Sequence, residues 1–196
     1  MRLRPVLLAA TLLGASAAPL LAQAALRAAP SSRATASVTL AYPRDSTPAG
    51  ARPATILVNY GQPHLRGRAL HTDSLVPYGQ PWRTGANEAT VLVTGVDLTI
   101  GGQPVSKGTY QVWTLPTREG WTLILQRDTS GVVPPMLNRY VPANDAARIP
   151  LRAQALPVTV ESLTFWLVPT PGAAPARGEL RFAWGTTLLT TEWVVR

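Results

Sequence analysis

The sequence has no cysteine. Thiol nucleophiles, cysteine-ligated zinc and disulfide staples are therefore excluded, and a folded core must hold by packing alone. A lipoprotein anchor, which needs a cysteine at the cleavage position, is excluded with them. Lysine is nearly as scarce: Lys107 is the only one, and the other seventeen basic residues are arginines. Histidine occurs only as His64 and His71. Acidic residues number ten against eighteen basic ones, a formal net charge of +8. The arginines never run three together, so they make a dispersed, solvated surface rather than a nucleic-acid track. No convincing helical periodicity is present, and after residue 24 no apolar run is long enough to span a bilayer.

The N-terminus is different. Arg2 and Arg4 precede an apolar run from Pro5 to Leu21, which ends in Ala22-Gln23-Ala24. That is the charged region, apolar region and small-residue cleavage site of a secretory signal. Gly14, Ser16 and Pro19 interrupt the run, and no charged stop-transfer flank follows, so a permanent membrane anchor is not expected. The expected organisation is a signal peptide at 1–24, a flexible Ala/Pro/Ser tether at 25–35 and a single domain at 36–196. Cleavage would leave 172 residues with a net charge of +6, enough for one sizeable core. Export also argues against a nucleic-acid partner.

Beyond the tether the hydrophobic period is two. Val38, Leu40 and Tyr42 alternate with polar or small residues, and further runs follow at 56–60, 90–94, 96–100, 110–115, 121–127, 148–154, 158–168, 179–184 and 188–195. Gly101-Gly102 predicts a hairpin into Val105, and Thr117–Gly120 a turn. The last two runs read as a final hairpin, and 128–146, with three prolines and no periodicity, as a long loop. About ten short strands with prolines and glycines between them predict an all-β fold, an antiparallel β-sandwich or jelly roll. Trp113, Trp121, Trp166, Trp184 and Trp193 lie in these strands and are expected in the core, together with Leu57 or its neighbours, Leu123, Leu125, Leu180 and Phe182.

One stretch departs from alternation. It opens with Tyr60-Gly61-Gln62-Pro63-His64-Leu65-Arg66-Gly67-Arg68, passes His71 and Asp73, and ends with Pro77-Tyr78-Gly79-Gln80-Pro81-Trp82-Arg83-Thr84-Gly85-Ala86-Asn87-Glu88-Ala89-Thr90. Its length and Gly/Pro content mark it as functional or disordered, and its aromatics argue for order. The run from Pro77 to Thr90 resembles the signature of the domain of unknown function 2911, a family of exported bacterial proteins. Tyr60–Pro63, Arg66–Arg68, Gly102, Gly108-Thr109-Tyr110, Trp121 and Phe182-Ala183-Trp184 extend the likeness over about residues 36–196. The resemblance implies export and a β-rich fold, and it brings no established activity.

The residues themselves support three readings. In a structural one, Arg83 pairs with Glu88 across a turn in which Asn87 or Gly85 takes positive φ. In a binding one, Tyr60, Tyr78 and Trp82 offer stacking faces, and Arg66, Arg68 and Arg83 offer planar donors to a small polar or anionic ligand or an envelope component, with Asn87 and Glu88 at the centre. In a catalytic one, His64 and Glu88 act as acid–base groups of a hydrolase. A metal-assisted variant would use His64, His71, Asp73 and Glu88, but their spacing matches no compact metal motif. Nucleophile elbows, paired glycosidase carboxylates and phosphate-cradling loops are missing. The expectation is an exported, non-catalytic binding domain with its site at Tyr60–Thr90 and no stable membrane anchor; the cofactor and oligomeric state are unassigned.

Overall fold

The computed structural model describes residues 26–72, 75–128 and 139–196. The signal peptide expected at 1–24 lies outside them. Among the described residues the fold is all-β with two single-turn 3₁₀ helices, Arg44–Ser46 and Pro142–Asn144. No helix among them is long and apolar enough to cross a membrane. The strands are β1 (Arg33–Leu40), β2 (Ala54–Gly61), β3 (Val91–Thr94), β4 (Leu98–Ile100), β5 (Gln103–Val105), β6 (Gly108–Pro116), β7 (Trp121–Arg127), β8 (Asp145–Pro169) and β9 (Arg177–Val195). They form one antiparallel sheet in the order β1-β2-β3-β6-β7-β8-β9-β4-β5, which is not closed into a barrel.

Period two decides which side chains turn inward. On β2, Ile56, Val58 and Tyr60 are buried, while Leu57 between them faces outward and is half-buried. On β7, Leu123 and Leu125 join the same core, and on β9 so do Leu180, Phe182 and Trp184. The sheet folds over so that its two halves share this core: the Tyr60 and Phe165 rings lie 4.7 Å apart, and Phe165 stacks on Phe182 at 4.8 Å. Each large apolar side chain fully buried here contributes about 1.5–3 kcal/mol. Val91, Trp113 and Ile124 are buried on the opposite face of β3, β6 and β7, where the Tyr140 ring meets Trp113 edge-on at 5.5 Å.

The structure departs from the sequence reading in four places. First, 148–154 and 158–168 belong to one strand, β8; with β5 at Gln103–Val105 and the join in β9 described next, the strands among the described residues number nine, in keeping with the about ten expected. Pro157 does not break β8; the ladder register shifts between Ala155 and Val160, so the proline falls where no ladder donor is needed. Second, 179–184 and 188–195 are not a hairpin but a single strand, β9, bent where Gly185 takes φ 63°. The true closing hairpin joins β8 to β9. Third, β1 begins at Arg33, inside the expected tether, because Arg33–Leu40 finds a complete partner in β2. Fourth, Trp166 is 41% exposed, whereas Trp113, Trp121, Trp184 and Trp193 are buried. Phe165 takes the inward position, and alternation turns Trp166 out. Of the long loop expected at 128–146, residues 129–138 lie outside the described residues, Tyr140 packs against Trp113, and β8 already starts at Asp145.

Candidate functional site

The stretch from Tyr60 to Thr90 is a strap across one end of the folded sheet. Directly after β2, Pro63–Leu65 pairs with the middle of β8: the Leu65 amide donates to the Glu161 carbonyl at 2.9 Å, and the Leu163 amide to the Pro63 carbonyl at 3.0 Å. Arg66 (φ 52°) and Gly67 (φ 74°) then turn the chain back. Farther on, it runs beside the end of β6, which extends past the short β3. Gly79 donates to the Pro116 carbonyl at 2.7 Å, and Trp82 and Thr114 exchange amide–carbonyl bonds of 2.7 and 2.8 Å. The strap thus takes the neighbour position that β3 leaves empty and ties it to β8 in the other half.

A left-handed turn ends the strap. Thr84 (φ 51°) and Asn87 (φ 61°) supply positive φ, while Gly85 does not. Asn and Gly tolerate this region, but a β-branched threonine rarely does. The Thr84 hydroxyl bonds to Thr114, and the Thr90 hydroxyl donates to the Thr84 carbonyl at 2.9 Å, holding the strained residue in place. Gly85 is needed for closeness instead: a Cβ there would lie 2.4 Å from the Thr90 hydroxyl oxygen.

The strap's inner face is committed to packing. Tyr60 is 3% exposed, and its hydroxyl accepts the Phe165 amide at 3.2 Å, so its ring is not open for stacking. Burial pushes its phenol above the ordinary value, with the Phe165 bond acting the other way. Trp82 is half-buried, stacked on Trp184 at 5.6 Å and 16°. His71 stacks on Tyr78 at 4.2 Å and approaches Trp121 at 5.5 Å, and its Nδ1 bonds to the Val76 carbonyl at 3.0 Å.

The expected acid–base pair is divided between different partners. His64 Nδ1 shares a 2.6 Å hydrogen bond with the Ser162 hydroxyl on β8. Glu88 pairs not with Arg83 but with Arg33 on β1, at 3.7 Å. The Ala/Pro/Ser surroundings of Arg33 suggest a tether; in β1 it lies beside Asn59, whose amide oxygen it contacts, and also donates to the Glu88 and Ala89 carbonyls at 3.2 Å each. Burial lowers the Arg33 guanidinium from its ordinary value, and Glu88 works against that shift. Arg83 instead turns back on its own loop, with its Nε 3.4 Å from the Gly85 carbonyl. Because Arg33 keeps its other partners, Glu88→Gln is expected to lower stability by only about 0–1 kcal/mol, as for other partly exposed pairs; chemical denaturation checks this, and a loss several times larger would contradict it.

The outer face is basic. Arg66, Arg68, Arg83 and Tyr78 are exposed. Arg68 is braced through bonds to the Leu65 and His64 carbonyls. The Arg66 amide is held by the Glu161 carboxylate at 2.7 Å. Asn87 reaches the Ser31 carbonyl at 3.2 Å. Arg118, from the β6–β7 turn, lies over the Tyr78 ring at 5.5 Å, a contribution that sequence distance conceals. Asp73 lies outside the described residues; among those described, no group of three or more His, Asp or Glu could hold a metal ion.

The cavity under the strap, between Leu70, Trp82 and Trp184, holds about 10 Å³, enough for no more than a water. Open volume lies elsewhere. A groove of about 610 Å³ opens at the far end of β1 and β2, beside Leu40, Ala54, Val96 and Val195. The folded strap is therefore a surface, not a chamber.

The model of a protein family described as "Protein of unknown function (DUF2911)" matches residues 43–192. The chain belongs to the DUF2911 family. The match covers the strap, its β6 and β8 partners and most of β9. The tied-down Tyr60–Thr90 stretch is thus part of the DUF2911 domain itself. No curated protein and no solved structure matches the chain.

Proposed function

We propose that this DUF2911 protein is an exported, non-catalytic binding domain that takes an anionic ligand or envelope component on the outer face of the strap. The observation that carries this reading is the Arg118–Tyr78–His71 stack. Stacking limits the conformations of the guanidinium and leaves its in-plane donors for carboxylate, sulfate or phosphate. Arg83 and Arg66 extend the positive surface along the strap. The hydrolase alternative has less support, since His64 and Glu88 are tied to Ser162 and Arg33 rather than turned toward one substrate.

Sulfated dextran is a suitable polyanion probe, with neutral dextran as control. Arg118→Ala and Tyr78→Ala are expected to weaken its binding several-fold while leaving the melting temperature close to wild type. His64→Ala is expected to keep binding and to lose about 1 kcal/mol of stability with its one side-chain hydrogen bond. Unchanged binding in Arg118→Ala, or binding lost only in His64→Ala, would overturn the reading. Export is tested separately: N-terminal sequencing of protein recovered outside the cytoplasm should begin at Ala25, and an intact Met1 there would contradict it.

A further inference from the structure

A second surface lies away from the strap, on the outer face of β8 and β9. It starts with Trp166. Its neighbours Phe165 and Leu163 fill the core, and alternation leaves Trp166 on the opposite face, 41% exposed. Its cross-strand partner is Arg181. Residues opposite one another on a sheet share a face, so the indole and the guanidinium are neighbours.

Arg181 opens a chain of four charged groups. Its Nη2 lies 2.5 Å from Glu179 Oε2, and its Nε donates to the same oxygen at 2.6 Å. Glu179 Oε1 lies 3.7 Å from Arg152 Nη2, which is 3.5 Å from Glu192 Oε1. The chain bridges the two arms of β9, which its bend brings near one another. Three adjoining clefts of about 480, 420 and 250 Å³ share these side chains as walls: Glu179 and Arg181 line the first two, and Arg152 links the second to the third.

We propose that this seam binds a neutral sugar chain. Within the chain of charged groups two guanidiniums and two carboxylates cancel, and Arg177 on the wall of the first cleft leaves a single positive charge beside them. Guanidinium and carboxylate are both planar and bidentate, and their mutual pairing fixes the positions from which they can meet adjacent hydroxyls, one group donating and the other accepting. The exposed indole supplies an apolar platform for the C–H face of a sugar ring, with a polar edge at the water boundary. All five side chains stand on β8 and β9, Trp166, Arg181 and Glu179 on one stretch of their ladder and Arg152 and Glu192 beyond its register shift, so rigid strands hold them and little ordering remains to be done on binding. Stability alone does not account for the array: Arg152 and Glu192 are each 70% exposed, and such pairs contribute about 0–1 kcal/mol. This proposal does not rest on the strap's reading, which concerns anions and other residues.

The test is affinity electrophoresis of the exported protein through native gels containing dextran, a soluble β-glucan, mannan or xylan. At least one neutral polysaccharide is expected to retard it. Trp166→Ala should weaken that retardation roughly tenfold, the scale of one lost stacking contact, while Trp166→Phe keeps part of it. Glu179→Gln should weaken it without abolishing the fold, as judged by the melting temperature. Folded wild-type protein that none of the four retards overturns the proposal. So does a Trp166→Ala variant retarded like wild type. Retardation by sulfated dextran alone would also overturn it, while leaving the strap reading intact.

Discussion

Trp184→Ala is expected to cost about 3–5 kcal/mol, the usual range for deleting a large buried aromatic. Trp184 is 3% exposed, and three contacts converge on it. Its ring stacks on Trp82 of the strap, its Nε1 donates to the Glu161 carbonyl at 3.1 Å, and its strand closes the sheet against β8. Truncation would empty a site whose present void is only about 10 Å³, remove apolar support from the strap and delete one of the two hydrogen bonds that the Glu161 carbonyl accepts, the Leu65 amide remaining. Urea denaturation reads the loss directly. A variant within about 1 kcal/mol of wild type would mean that the strap does not depend on this contact.

Gly61→Ala should be comparably damaging for a different reason. The strap crosses β2 there so closely that a Cβ on Gly61 would lie 1.9 Å from the Ala86 carbonyl oxygen and 2.8 Å from its carbon. Both are backbone atoms at a point where the Ala86 amide also bonds to the Gly61 carbonyl at 3.1 Å, so neither strand can yield without parting. Overpacking typically costs 1–3 kcal/mol, and a clash with unyielding backbone lies at or above the upper end, about 3 kcal/mol. Gly79→Ala makes the control. Gly79 has φ 75°, and no atom lies within 4 Å of where its Cβ would stand, so only left-handed strain remains, about 1 kcal/mol. Equal losses in the two variants would contradict the close crossing.

Alternation carries most of the fold into the sequence. Val38, Leu40, Ile56, Val58, Leu123 and Leu125 announce strands because strand geometry sends every second side chain to one face. The Gly101-Gly102 turn is legible for the same local reason. What alternation cannot tell is which face of a strand is covered, and so Trp166 reads as core although its neighbour Phe165 holds that position. Nor can local sequence distinguish a break from a bulge: Pro157 and Gly185 look like ends of strands and are instead bends within β8 and β9.

The strap shows the same division. Its boundaries and the left-handed Asn87 follow from composition and turn chemistry. Its ion pair does not, because Glu88 finds a partner fifty-five residues earlier in Arg33 rather than five residues away in Arg83. The role of Arg118 is hidden similarly, since only the pairing of Gly79 with Pro116 brings the β6–β7 turn to Tyr78.

The anion-binding face proposed for the strap is anchored by Arg118. The measurement that tests it most directly is the salt dependence of sulfated-dextran binding for wild type and Arg118→Ala. Wild-type affinity should fall steadily as salt screens the exposed guanidiniums, and the variant should bind more weakly at low salt with a shallower dependence. Salt-independent binding, or a variant with the wild-type affinity and slope, would contradict it.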